Sequence, residues 1–119
     1  MSIENSEDGI VYINVEEGLE RMMHNKDLYV KLLKKLKTDS HFKDLTAALT
    51  AQDYEKAQTA AHAVKGMAAN LSLTELLAHT LRLEAQIKNR AIPANAVESM
   101  DRCLEQTLIH IDTVLVRYG

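Results

Sequence analysis

The run His62-Ala63-Val64-Lys65-Gly66 holds the residues best suited to chemistry in this chain. In a helix, offsets of three and four put an imidazole, an ammonium group and a bare stretch of backbone on one face. Neutral imidazole has an ordinary pKa near 6.5, so a ring nitrogen keeps its lone pair at neutral pH. Such a nitrogen can attack an activated phosphoryl group and later release it. A lysine one turn away suits the phosphate oxygens. A glycine inside a helix costs about 1 kcal/mol relative to alanine, and clearance beside the ring for another protein's active site is one reason to keep it. No Walker-type glycine loop and no kinase signature accompany these residues. The activated phosphoryl group must therefore come from a partner.

The elements that position this run are legible as helices. Asn14 with Glu17 reads as a capping box and predicts a short helix over 15–23. Asn25 can cap the next helix, in which Leu28, Tyr29, Leu32, Leu33 and Leu36 recur at helical spacing. Thr38-Asp39-Ser40 predicts a break or, in preference, a bend, after which Phe42, Leu45, Ala48 and Leu49 carry the pattern to about residue 51. Asp53 is a good N-cap for the helix that carries His62. Its buried stripe is Tyr54, Ala57, Ala61, Val64, Ala68 and Leu71, and His62 projects from a flank with Gln58, Thr59, Lys65, Gly66 and Ala69. Ser72 and Glu75 read as a second capping box, opening a helix to about Lys88. Pro93 fits the first turn of a last helix with the stripe Val97, Met100, Leu104, Leu108, Ile111, Leu115 and Tyr118. The fold class expected is all-α: an antiparallel four-helix bundle with a short additional N-terminal helix. Residues 1–13 are expected to be a loosely ordered lead-in, with 10–13 extended against the body, and residues 14–119 a single domain.

Composition limits the alternatives. The chain has 119 residues, a hydrophobic content of 46% and a net charge of −3, as an ordinary one-core globular domain would. That charge argues against nucleic acid as a partner. No apolar run reaches the roughly 20 residues a membrane span needs, and the polar N-terminus is not expected to act as a secretory leader. The single cysteine, Cys103, permits no internal disulfide and fits a reducing cytoplasm. Lys26, Lys31, Lys34, Lys35, Lys37 and Lys43 form a basic run whose plain reading is a solvated helix face, with an acidic protein partner as the alternative.

With these residues in place, the chain resembles the histidine phosphotransfer (HPt) domains of bacterial multistep phosphorelays. Their usual run is Ala-His-x-x-Lys-Gly-x-x-x-Asn-Leu-Gly, and Ala61-His62 through Asn70-Leu71 follows it. Glu16-Glu17-Gly18-Leu19, Asp27-Leu28-Tyr29, Leu32-Leu33 and Leu83-Glu84 also look like the family, so the likeness runs from about Val15 to Tyr118. Ala63, Met67 and Ser72 depart from a frequent threonine, small polar residue and glycine. Ser72 is expected to serve as a better cap for the next helix. The resemblance implies that His62 accepts a phosphoryl group through Nε2 from a receiver-domain phospho-aspartate and passes it to another receiver. It implies that Lys65 holds the phosphoryl oxygens and that Gly66 gives the receiver clearance. Asn70 would be structural at the helix end.

Gln58, Thr59, Met67, Ala69 and Asn70 are expected to touch the partner. The partners implied are response-regulator receiver domains and an upstream hybrid sensor histidine kinase, with no nucleic acid and no membrane insertion. A cytoplasmic monomer without enzyme activity of its own is expected. No metal or cofactor is expected on this chain, because the Mg²⁺ of this chemistry belongs to the receiver. His24, His41, His79 and His110 show no ligand pairing, Glu84 reads as a helix-face residue, and Cys103 as structural. Two rivals remain: a phosphoacceptor domain of the chemotaxis-kinase type, charged by an ATP-binding catalytic domain, and a helical adaptor that is never phosphorylated. If the 119 residues are the whole product, the lack of a linker or kinase domain after the last helix favours the phosphorelay reading.

Overall fold

Three helices begin where an asparagine or aspartate side chain accepts an N–H that would otherwise lack a partner. Asn14 accepts from Glu17 (3.1 Å), Asn25 from Leu28 (3.0 Å) and Asp53 from Lys56 (3.2 Å). The computed structural model describes the backbone of residues 3–5 and the whole of residues 9–118. Among them are strands β1 (Ile3–Asn5) and β2 (Val11–Asn14) and helices α1 (Val15–Arg21), α2 (Lys26–Leu36), α3 (His41–Ala51), α4 (Tyr54–Asn70), α5 (Thr74–Lys88) and α6 (Ala96–Tyr118). The chain is mostly helical, in agreement with the all-α class. Of the break or bend expected at Thr38-Asp39-Ser40, the chain takes the break, so the second rod is two helices.

The packing follows the small residues. Ala57, Ala60, Ala61, Val64 and Ala68 form the buried line of α4, and this slim face lets α3 and α5 both pack closely against it. Helix α5 also packs on α6, and α6 returns to α3 and α2, closing a circuit. The burial line of α6 is rotated from the expected stripe. It runs through Met100, Cys103, Thr107, Ile111 and Val114, while Leu104, Leu108 and Leu115 sit half-buried at its side. Burying Thr107 and Thr80 is tolerable because their hydroxyls donate to carbonyls one turn back, Cys103 at 2.8 Å and Leu76 at 2.6 Å. Burial raises the Cys103 thiol to about 11, which keeps it protonated and unreactive. Helix α6 starts at Ala96, later than expected; Pro93 lies in the preceding turn, where its carbonyl accepts from the Ala96 N–H.

In the lead-in, residues 1–2 and 6–8 lie outside the described residues, and 11–13 are extended against the body as expected. They belong to β2, which pairs antiparallel with β1, and Tyr12 and Ile13 are buried. Ser72 is not the N-cap of α5. That helix starts at Thr74, behind a Leu73 that makes no side-chain cap. Ser72 instead adopts a left-handed φ of 57° just after α4. The Leu73 N–H reaches back to Ala68 (2.8 Å) and the Ser72 N–H to Ala69 (3.3 Å), which is the Schellman ending.

That turn is clamped by four residues between positions 11 and 29. Asn14 N–H donates to the Ser72 carbonyl (2.9 Å), the Ser72 hydroxyl to Glu17 (2.8 Å), Thr74 to the Val11 carbonyl, and the Tyr29 hydroxyl to the Leu71 carbonyl (2.9 Å). Glu17 therefore spends its carboxylate on Ser72 rather than completing a capping box. Burial, with Tyr118 and Glu17 nearby, pushes the Tyr29 phenol well above its usual range, so it stays a donor.

Candidate functional site

Helix α4 runs unbroken from Tyr54 to Asn70, favoured by its alanines and capped at its start by Asp53. His62 stands at its centre on the side away from the buried alanines, with its side chain 74% exposed. The sequence-based expectation of a solvent-facing ring off the packed seam agrees with this geometry.

Helix α5 supplies what the sequence did not reveal. The three-residue turn 71–73 brings α5 back along α4, and Glu84 arrives beside the ring. One carboxylate oxygen, Oε2, lies 3.5 Å from His62 Nδ1; the other, Oε1, accepts from Lys65 Nζ at 3.0 Å. Glu84 and Lys65 are only 20% and 28% exposed, so Lys65 is less open than its place on the His62 flank suggests. A carboxylate near Nδ1 favours the tautomer with the proton there, which leaves Nε2 with its lone pair free. Glu84 lies on a face of α5 as expected, but that face meets the ring. Its one sequence signal is the pair Leu83-Glu84, and nothing local links that pair to a ring 22 residues earlier.

Gly66 completes the face. A Cβ there would meet no atom of the described residues within 4 Å, so the helix face beside the ring is open. Gln58, Thr59 and Asn70 are exposed and Ala69 half-buried. Thr59 already donates its hydroxyl to the Glu55 carbonyl (3.1 Å). Met67 is turned away from this set. It is partly buried against the core and lines a groove with Leu32, Leu36 and Leu71.

The remaining histidines have other surroundings. His41 Nδ1 is 2.7 Å from Asp39, His110 stacks on Tyr12 with ring centroids 4.6 Å apart, and burial beside Arg82 lowers the His79 pKa. Among the described residues no group of three or more His, Cys, Asp or Glu could hold a metal ion, and no helix is long and apolar enough to cross a membrane.

A protein-family model, the Hpt domain, matches residues 35–112. The match takes in α3, α4, α5 and most of α6, with His62, Lys65, Gly66 and Glu84 inside it. No curated protein and no solved structure matches the chain.

Proposed function

Because the chain belongs to the Hpt domain family, whose members carry phosphoryl groups on histidine in phosphorelays, we propose that His62 is the phosphoryl carrier. It takes the group from a phospho-aspartate of one receiver domain and hands it to the aspartate of another. The observation that carries this reading is the exposed ring whose Nδ1 is faced by Glu84 and whose flank holds Lys65 and Gly66. The closed circuit of α3, α4, α5 and α6 supports reading the body as the family's antiparallel four-helix bundle, with the hairpin, α1 and α2 added to it.

The transfer follows from those groups. The Nε2 lone pair attacks phosphorus, the N–P bond forms, the P–O bond to the donor aspartate breaks, and its carboxylate leaves. The ring keeps its Nδ1 proton and becomes cationic. Glu84 stabilises that charge where it develops, because its carboxylate is already in place. Lys65 has three donors on a flexible stem, so its ammonium can serve Glu84 and the incoming phosphoryl oxygens together. The second receiver reverses the sequence. In this proposal the Mg²⁺ rides on the receiver, this chain has no kinase activity, and it works in the cytoplasm as a monomer downstream of a hybrid sensor kinase.

The direct test is to incubate the protein with a phosphorylated receiver. An acid-labile, alkali-stable phosphoryl adduct at His62 is expected; an unlabelled protein across all receivers of the source organism overturns the proposal.

Glu84 acts through the ring and is thus a positioning residue. Glu84→Gln keeps its size but loses the charge. We expect phosphoryl uptake to slow about tenfold, which corresponds to roughly 1.4 kcal/mol, and the phosphohistidine to hydrolyse at an altered rate. Melting temperature should fall only modestly, because the amide oxygen of glutamine can still accept from the Lys65 ammonium. Unchanged uptake and lifetime with a large fall in stability would make Glu84 purely structural.

A further inference from the structure

The second half of α5 and the opening of α6 enclose a pocket of about 230 Å³. Its polar lining is His79, Arg82 and Gln86 from α5, with Asn95 and Ser99 from where α6 begins. All five side chains can donate a hydrogen bond, and no carboxylate is among them. Among the described residues, none of the five side chains makes an ion pair or a hydrogen bond within the chain. No buried side-chain nitrogen or oxygen of those residues lacks a partner, so the polar tips of half-buried His79, Gln86 and Ser99 stay open to solvent.

The donors converge because of helical spacing. His79, Arg82 and Gln86 are three and four residues apart, so they share one face of α5. Glu84 lies about 200° around the axis from Arg82 and is engaged by Lys65 and His62. On α6, Glu98 is held by Arg102 at 3.0 Å. Glu75 also bears on this face, one turn before His79, but it does not line the pocket. The field there is positive all the same. Beyond the effect of burial, Arg82 lowers the His79 pKa more than Glu75 raises it.

We propose that this α5–α6 pocket binds a phosphate-type oxyanion, either the terminal group of a phosphate monoester or free inorganic phosphate. Arg82 carries the recognition, because its planar fork of donors matches two oxygens of such an anion at once. His79, Gln86, Asn95 and Ser99 supply donors to the remaining lone pairs, which a tetrahedral anion has in greater number than a carboxylate. The pocket has room for several water molecules, more than a bare phosphate ion displaces. Leu83, Pro93 and Ala96 give the rest of it an apolar wall, so an ester with a small apolar body fits it better than the ion alone. The site is on the side of α5 turned from Glu84, and its occupant leaves His62 uncovered. The inference does not depend on the phosphocarrier reading.

The test is a titration of the full chain with phenyl phosphate, followed by ¹H–¹⁵N chemical shifts at an ionic strength held constant with chloride. Saturable shifts centred on His79, Arg82, Gln86, Asn95 and Ser99 are expected. Arg82→Gln should weaken the binding tenfold or more, and because Arg82 is exposed the variant should melt with the wild type. Arg102→Gln, which removes an exposed arginine outside the pocket, should bind phenyl phosphate as the wild type does. Inorganic phosphate separates the two sources: weaker binding than phenyl phosphate assigns the pocket to an ester, and equal binding assigns it to the free ion. Shifts that do not saturate, a Kd unchanged by Arg82→Gln, or the same shifts produced by phenol would each overturn the proposal.

Discussion

His62→Gln is expected to abolish phosphoryl uptake while the fold survives. An amide nitrogen has no available lone pair to attack phosphorus, so no residual transfer at this position should remain. The structural cost is small because the ring is 74% exposed and its nearest charged contact is 3.5 Å away. Surface changes of this kind stay within about 0.5 kcal/mol, and glutamine is a good helix former. Incubation with a phosphorylated receiver, read beside a thermal melt, checks both halves. A variant that labels like the wild type would move the acceptor to another residue; one that fails to fold would mean the ring is structural.

The second large effect is on stability. Gly18→Ala should destabilise the protein by about 2–3 kcal/mol, the cost of overpacking a filled interior, or roughly 10 °C in melting temperature. A Cβ at Gly18 would lie 2.5 Å from the Cζ and hydroxyl of Tyr29. That ring cannot swing aside cheaply. It is 1% exposed, and its hydroxyl is tied to the Leu71 carbonyl at 2.9 Å. Moving it would disturb the clamp on the turn that aligns α5, and hence Glu84, with His62. Gly66→Ala is the contrasting case. It meets nothing, so it should stabilise the helix by about 1 kcal/mol and slow transfer only by crowding the receiver. Equal melting temperatures for the two alanine variants would refute this division.

Much of the frame was legible in the sequence because it depends on residues within one turn of each other. The caps at Asn14, Asn25 and Asp53 each reach a donor three residues on. The 3.6-residue rhythm marked the buried line of α4 and left His62 off it. The same local reasoning failed where a local partner was outbid by a distant one. Glu17 and Ser72 each looked like half of a capping box, yet they bond to one another across the fold at 2.8 Å. Ser72 stands where the family often has glycine, and its positive φ, not its capping power, accounts for that position.

The sequence by itself therefore determined the helical rods and put His62, Lys65 and Gly66 on one face, since those depend on helical spacing alone. Only the tertiary structure decided that Glu84 meets the ring, that Gly18 is filled from within while Gly66 is left open, and that Lys35 of α2 lies across a groove from Asn70. Those outcomes depend on how separate helices pack, and packing joins residues that no periodicity connects.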